Sequence, residues 1–233
     1  MNQNSDPPGP LVHRTARYGG ALFLIGAIGF VIGNAVTQLG WTHPYSLLHN
    51  YISDLGAVYC GYWPAGSTHY VCSPWHEVFN GFTILMGICF VLAALLIRSA
   101  FPSSHWTTLG LIGIVVAGLG AIGVGLFPED VNLTLHSLSA VAAFLIGNLA
   151  VVALGLAMAK DRRWNGYATY TVISGVFGLV FLFVYLFHVW GPLGLGGAER
   201  LIVAPILLWA SIAGIHVMRM RTFAPGGIGK TST

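Results

Sequence analysis

The chain of 233 residues is 55% hydrophobic and only 7% charged, with a net charge of +3. Soluble domains carry about 25% charged residues, so this composition excludes a water-soluble fold. Thirty-one glycines accompany the charge deficit, as expected for helices that pack closely in lipid. The composition therefore indicates an integral membrane protein.

Six segments are long and apolar enough to cross a bilayer, which needs about 20 apolar residues per helix. Each segment is a continuous apolar run and not the alternation typical of a transmembrane strand. The predicted fold is an all-α bundle of six transmembrane helices. The predicted spans cover residues 18–38, 78–97, 107–127, 133–159, 167–187 and 201–218.

The two ends of the chain lack apolar periodicity and are rich in Pro, Gly, Ser and Thr. Residues 1–16 and 222–233 are therefore predicted to be disordered cytoplasmic tails around one transmembrane domain, 17–221. The first span follows Arg14 and Arg17, is 21 residues long and lacks a clear cleavage site. We expect it to be a retained helix and not a signal peptide.

The basic residues fall almost entirely on one side of the predicted bundle. Nine of the ten Lys and Arg residues share the side of the amino terminus, and only Arg200 lies on the other. Because basic loops stay in the cytoplasm, we expect both termini to be cytoplasmic in a plasma or inner membrane. The basic residues then mark topology and contact membrane lipids, and no nucleic-acid partner is expected.

The first outer connection, residues 39–76, is too long to be a plain link between helices. The residues from Tyr45 to Leu55 alternate at helical spacing, which predicts a short amphipathic helix in this loop. Its polar face would hold Ser53 and Asp54 near the mouth of the bundle; alternatively, that face only touches water. The apolar face comprises Leu47, Leu48, Tyr51, Ile52 and Leu55, and the polar face His49, Asn50, Ser53 and Asp54.

Two of the three cysteines, Cys60 and Cys72, share this outer loop. An oxidising compartment permits a disulfide between them, which we predict. The alternative is two free thiols at a wet interface.

Polar residues recur at matching depth at the outer ends of the second and fourth helices, as Glu77 and Asn80 on one and His136 on the other. Ionisable groups at that depth usually face a bundle interior or a wet cavity, so Glu77 and His136 are predicted to meet or to share a ligand. The alternative is a helix-terminal acid and a locally bonded histidine. Glu129 and Asp130 are expected to cap a helix. The predicted ligand-binding set is Ser53, Asp54, Glu77, Asn80 and His136.

Two further polar features of the outer side have simpler explanations. His188 lies at an outer helix end, and Glu199 with Arg200 opens the last helix, where a surface ion pair is expected. Small residues on the first and third helices form faces that serve either packing within the chain or a homodimer. These are Gly29, Gly33, Gly113, Ala117, Ala121 and Gly125.

Several motifs in order resemble the bacterial and archaeal membrane family called domain of unknown function 998. They are the run from Tyr51 to Gly56, Pro74, Phe79 with Asn80, the run from Gly125 to Asp130, and His136. The same order is similar, more loosely, to the damage-regulated autophagy modulator proteins, which also have six helices. The resemblance implies a multi-pass membrane protein and supplies no catalytic residue.

The leading functional hypothesis is a non-enzymatic membrane protein without a cofactor that binds a lipid headgroup or small solute at the outward-facing polar site. The alternative is a zinc-dependent hydrolase of lipid-like substrates, because six of nine histidines fall on the outer side. Its candidate ligands are His76, Glu77, His136 and His188. A transporter or channel is the third hypothesis, and it would need polar residues through the full depth of the bundle.

Overall fold

The computed structural model describes residues 12–222. Within this range, six helical spans are long and apolar enough to cross a membrane, which confirms the predicted all-α bundle. The fourth span, Leu133–Met158, consists of two α-helices joined by a π-helical segment, Ala142–Ile146. The helices are α1 (Arg14–Leu39), α2 (His76–Leu96), α3 (His105–Leu126), α4 (Leu133–Val141), α5 (Gly147–Met158), α6 (Tyr167–Leu186) and α7 (Gly194–Arg219).

The ends of the described chain meet beside each other. The amide of Val12 donates to the carbonyl of Arg221, and Val12 forms a parallel bridge with Thr222. The first helix begins at Arg14, so residues 12–16 of the predicted amino-terminal tail are structured. The remaining parts of the two predicted tails, 1–11 and 223–233, lie outside the described residues.

The six spans form a ring in chain order, in which each packs on the next and α7 closes on α1. Close backbone approach closes the ring, because a Cβ on Gly20 would lie 2.7 Å from the carbonyl oxygen of Gly214. The predicted small-residue faces also pack within the chain: Gly33 contacts Phe82 and Gly113 contacts Ala150. These faces therefore serve the fold of the single chain.

The connection of residues 40–75, which we call the cap, covers one end of the bundle. That end, the cap end, also carries the connections 127–132 and 187–193, and the other is the opposite end. The cap contains a 3-10 helix, Ser53–Gly56, and a two-stranded antiparallel hairpin, β1 (Gly61–Tyr62) and β2 (Tyr70–Val71). A disulfide joins Cys60 to Cys72 at the base of this hairpin.

The predicted amphipathic helix from Tyr45 to Leu55 is wrong, because the cap has a turn at 47–49 followed by the 3-10 helix. Burial does not follow its predicted faces either: Ile52 and Leu55 are buried as predicted, but Asp54 is fully buried and Leu47 is 53% exposed. The backbone groups that would close a helix are bonded elsewhere. The Tyr51 amide donates to the Asp54 carboxylate, and the Leu48 carbonyl accepts from Gly196 and Gly197 of α7. Side-chain and long-range hydrogen bonds thus replace the helical ladder.

The last helix begins seven residues before the predicted span, at Gly194. Its glycine-rich first turn is helical because the cap backbone lies directly against it. A Cβ on Gly196 would lie 1.9 Å from the carbonyl oxygen of Asn50, so a larger side chain has no room there. This close contact holds the cap onto α7.

Candidate functional site

Three carboxylates from three separate segments are buried together at the cap end. Asp54 comes from the cap, Glu129 from the connection between α3 and α4, and Glu199 from the second turn of α7. All three are at least nine-tenths buried, and their charges interact with one another. Such a group is costly to bury unless its charges are paired or neutralised, so each carboxylate needs a separate account.

Asp54 is the best-bonded member of the group. Its Oδ2 lies 2.8 Å from Nε2 of His69, 2.9 Å from the Tyr51 amide nitrogen and 3.1 Å from Nδ2 of Asn50. The hydrogen bond to this carboxylate raises the pKa of His69. The Asp54 carboxyl group also shares a side-chain hydrogen bond with Glu129. Asp54 therefore organises the cap from within and is bonded to a second acid of the group.

Glu199 corrects the expectation of a surface ion pair with Arg200. Glu199 is only 5% exposed, and its Oε2 accepts the Ile52 amide at 2.5 Å. The Arg200 guanidinium donates instead to the carbonyl oxygens of Leu47, Asn50 and Gly196. It also contacts the hydroxyl of Tyr45 at 2.5 Å. Arg200 thus fastens the cap and forms no direct ion pair with Glu199, although its charge acts on that carboxylate.

Glu129 corrects the expectation of a helix cap. The first turn of α4 is capped by Asn132, whose side chain accepts the Leu135 amide, while Glu129 points into the protein. Burial raises the pKa of the Glu129 carboxyl well above its usual range, and the Asp54 carboxylate adds to the rise. Side-chain hydrogen bonds also link Glu129 to the Ser53 hydroxyl and to the Asp54 carboxyl group. The neighbouring Asp130 accepts the amide of Tyr59 and anchors the cap.

Two predicted site residues on helices lie close to this group. His136 is buried, and its Nδ1 donates to the Phe127 carbonyl at 2.8 Å, which leaves Nε2 of the neutral ring as an acceptor. Asn80 donates from Nδ2 to the Gly56 carbonyl at 3.0 Å and so supports the end of the 3-10 helix. His136 belongs to the site, and Asn80 positions the cap above it.

Glu77 does not join the group. Its side chain is exposed in the first turn of α2, and it forms no ion pair with His136 or any other described residue. The predicted pairing of Glu77 with His136 is therefore wrong, and the helix-terminal acid is the correct interpretation. The sequence placed Glu77 and His136 at the same depth in the bundle. Depth along a helix does not determine the direction in which a side chain points.

The alternative zinc ligands are also separated. Nδ1 of His76 bonds locally to the Ser73 carbonyl, and His188 is exposed with its ring bonded to Leu186. Within residues 12–222, no group of three or more His, Cys, Asp and Glu side chains is arranged to hold a metal ion. The structure thus gives the hydrolase hypothesis no ligand set in the described chain.

A cavity of about 320 Å³ lies beside the carboxylates, between the cap, α4, the π-helical segment, α6 and the start of α7. Its size is in the range of sites for small molecules. Its lining combines a group of polar side chains with apolar ones. The polar lining is Tyr51, Ser53, Glu129, His136, Ser137, Tyr185 and Glu199, and the apolar lining includes Leu133, Ala140, Val141, Phe144, Leu145, Leu182 and Leu186.

The cavity continues toward the bundle interior as smaller voids. A void of about 60 Å³ shares Ser53, His136 and Glu199 with the main cavity, and a further one of about 50 Å³ shares Phe144 with both. Phe144 belongs to the π-helical segment, and such segments are frequent at functional sites. The polar group therefore sits at the head of a mostly apolar path into the bundle.

Several lining residues were missed from the sequence. Glu199 was missed because the predicted last span began at residue 201, two residues after it. In the structure α7 begins at Gly194, so Glu199 lies within the helix, where an acid usually faces the bundle interior. The roles of Tyr51 and Tyr185 were not detectable from the sequence, because their rings contact one another only in the folded cap. His69 lies in a hairpin that no local pattern places over Asp54.

A family model described as "Protein of unknown function (DUF998)" matches residues 24–216, which include the whole cap, all three carboxylates and the cavity lining. The chain belongs to the DUF998 family. No curated protein and no solved structure matches it. The looser similarity to the damage-regulated autophagy modulator proteins therefore has no support, and the assignment of a function to this family member depends on the site itself.

Proposed function

We propose that this DUF998 protein is a membrane-embedded binding protein that takes a lipid headgroup or a small amphipathic solute at the cap end. The observation that carries the proposal is the cavity of about 320 Å³, whose largely apolar lining includes a group of buried polar side chains. An amphipathic ligand matches that lining, since its polar group would meet buried hydrogen-bonding groups and its apolar part the aliphatic side chains.

The proposed orientation places the cap end outside the cytoplasm. Eight of the nine described Lys and Arg residues lie at the opposite end, and Arg200 is the exception. The disulfide in the cap fits an oxidising compartment. Reporter fusions after Arg98 and Lys160 should report cytoplasm, and a fusion within residues 59–73 should not. A cytoplasmic signal from the cap would overturn the orientation.

Binding is tested by filling the cavity. Ala140 lines the cavity, so Ala140→Phe should occupy space that a ligand needs. Ala35→Phe is the matched control, because Ala35 is exposed on α1 and faces lipid. Native mass spectrometry of protein extracted from its own membranes in mild detergent should show one retained amphiphile on the wild type and on Ala35→Phe. Ala140→Phe should lose it. The same adducts on all three proteins would contradict the proposal.

A further inference from the structure

Two of the three buried carboxyl groups, Glu129 and Glu199, form no ion pair with a described residue. The ion pairs within residues 12–222 are His69 with Asp54, and Arg163 with Asp161 at the opposite end. Arg200 is bonded to cap carbonyls and to Tyr45, and its charge acts on Glu199 without a direct ion pair. Glu129 and Glu199, which line the cavity, are therefore not directly paired with any Lys or Arg of the described chain.

Both of these carboxyl groups border the cavity. Glu129 is 7% exposed, and its carboxyl group also hydrogen-bonds with the side chains of Ser53 and Asp54. Glu199 is 5% exposed and lines the same cavity. Acids buried beside one another are costly to ionise, and a cation held in the cavity would offset that cost.

Other side chains in the cavity lining also favour a bound cation. Tyr51, Trp63 and Tyr185 line the same cavity, and the rings of Tyr51 and Tyr185 lie 6.2 Å apart. Aromatic faces attract ammonium groups through the ring quadrupole. Nε2 of His136, as an acceptor in the neutral ring, adds a further site for an N–H donor. The lining thus combines acids, acceptors and aromatic faces, and it contains no Lys or Arg.

We infer that the ligand is an amphipathic amine, whose ammonium group binds between Glu129 and Glu199 and whose apolar part extends along α4 and α6. This inference rests on the proposed function and adds the charge of the ligand. An anionic headgroup is disfavoured, because its charge would meet two buried carboxyl groups. A neutral amphiphile would leave the carboxylate charge uncompensated.

Three compounds with the same chain test the charge: octylamine, octanol and octanoate, each added to the protein in a neutral maltoside detergent at pH 7.5. Saturable increases in the melting temperature report binding to the folded state. We expect octylamine, which is protonated at this pH, to stabilise the wild type, and octanol and octanoate to have little effect. Glu129→Gln should weaken the apparent affinity for octylamine by about 30-fold, as expected for removing one partner of a buried charge pair.

The matched control is Glu77→Gln, which removes an exposed acid from the same end of the bundle and should leave octylamine binding unchanged. Glu199→Gln, which alters the second lining carboxyl group, should act in the same direction as Glu129→Gln. Ala140→Phe should abolish the octylamine effect. These variants separate a specific charge pair from general attraction of an amine to an acidic surface.

The outcomes distinguish the charge of the ligand from the existence of the site. Equal binding of octanol and octylamine, insensitive to Glu129→Gln, would overturn the amine inference and leave the binding proposal standing. If none of the three compounds binds but Ala140→Phe still removes the native adduct, the amine inference is likewise overturned and the binding proposal stands. If Ala140→Phe changes neither octylamine binding nor the native adduct, both proposals are overturned.

Discussion

At the cap end, buried acids lie together beside a cavity, whereas at the opposite end Trp164, His216 and Arg163 are bonded to partners within the chain. Trp164 is fully buried, and its Nε1 donates to the Ala100 carbonyl at 3.1 Å. His216 bonds to the Arg163 carbonyl at 2.8 Å, and Arg163 pairs with Asp161. At the cap end, Glu129 and Glu199 line the cavity and form no ion pair among the described residues.

The difference separates two uses of buried polar groups. Satisfied networks stabilise a unique packing, while unsatisfied ones reduce stability and persist at sites that bind something. The opposite end also has a groove of about 450 Å³ whose lining includes Lys160, Asp161 and Arg162. Asp161, the acid of this groove, is already paired with Arg163. We therefore expect mutations at the opposite end to change stability alone, and mutations at the cap end to change binding.

The largest effect is expected from Trp164→Ala. The indole is stacked on Phe101 and Tyr167, with ring centroids 5.0 and 5.4 Å away, so its removal leaves a large cavity. The loss should be about 4 kcal/mol of unfolding free energy. Reversible denaturation in mixed micelles measures it, and the native adduct should remain on the folded fraction. Loss of the adduct from folded protein would break the division between the two ends.

The next effect concerns the contact between the cap and α7. Gly196→Ala places a Cβ against the Asn50 carbonyl and should force the cap away from α7, at a cost of about 2–3 kcal/mol. Gly81→Ala is the control, because a Cβ there meets no atom within 4 Å. It should be neutral or slightly stabilising. Limited proteolysis should cut the cap only in the Gly196 variant, and equal resistance of both would contradict the proposed contact.

Glu129→Gln should stabilise the protein without ligand by about 1 kcal/mol at neutral pH, since it removes a buried charge. The folded pKa of Glu129 is raised above its usual 4.5, so the wild type loses stability as pH rises from 4.5 through the folded pKa. The stability difference between variant and wild type should therefore be small below pH 4.5 and grow above it. A constant difference across that range would show that Glu129 does not titrate as the buried group described.

The smallest effect concerns His69. Its pKa is raised above 6.5 by the hydrogen bond to Asp54, so the stability it contributes is complete below pH 6.5 and lost as pH rises through the folded pKa. Because His69 is partly exposed, the effect should be less than about 1 kcal/mol. Comparing melting temperatures of the wild type and His69→Gln at pH 6 and pH 9 measures it. A difference between the two proteins that is the same at both pH values would exclude the ion pair.

The spans were predictable because an apolar helix in lipid satisfies its own backbone. Five of the six spans lie within four residues of the expected bounds, and α7 begins seven residues early. The structure of the cap was not predictable, because it depends on contacts between residues that are distant in sequence. The Ile52 amide is bonded by Glu199, 147 residues away, and Leu48 by the first turn of α7. Helical spacing in the cap sequence therefore indicated a helix that these contacts replace.

The candidate site was predictable in part. Ser53, Asp54 and His136 were identified from polarity and depth, and they lie in or beside the site. Glu77 was included wrongly, and Glu129 and Glu199 were assigned to helix ends and to the surface. Position along a helix gave the correct level in the bundle. Glu77 is exposed and Glu199 is buried because of how their helices are rotated about their own axes. That rotation is determined by packing and was not predictable from the sequence.

The central claim is that the cavity beside Glu129 is occupied by an amphiphile in the native membrane. Cryo-electron microscopy of protein extracted together with its surrounding lipids, bound to a rigid fiducial antibody, tests it most directly. The account predicts an elongated density with its head within hydrogen-bond distance of Glu129 and its tail along α4 and α6, and no such density in Ala140→Phe. A cavity that holds only water, or one closed by its own side chains, would contradict it.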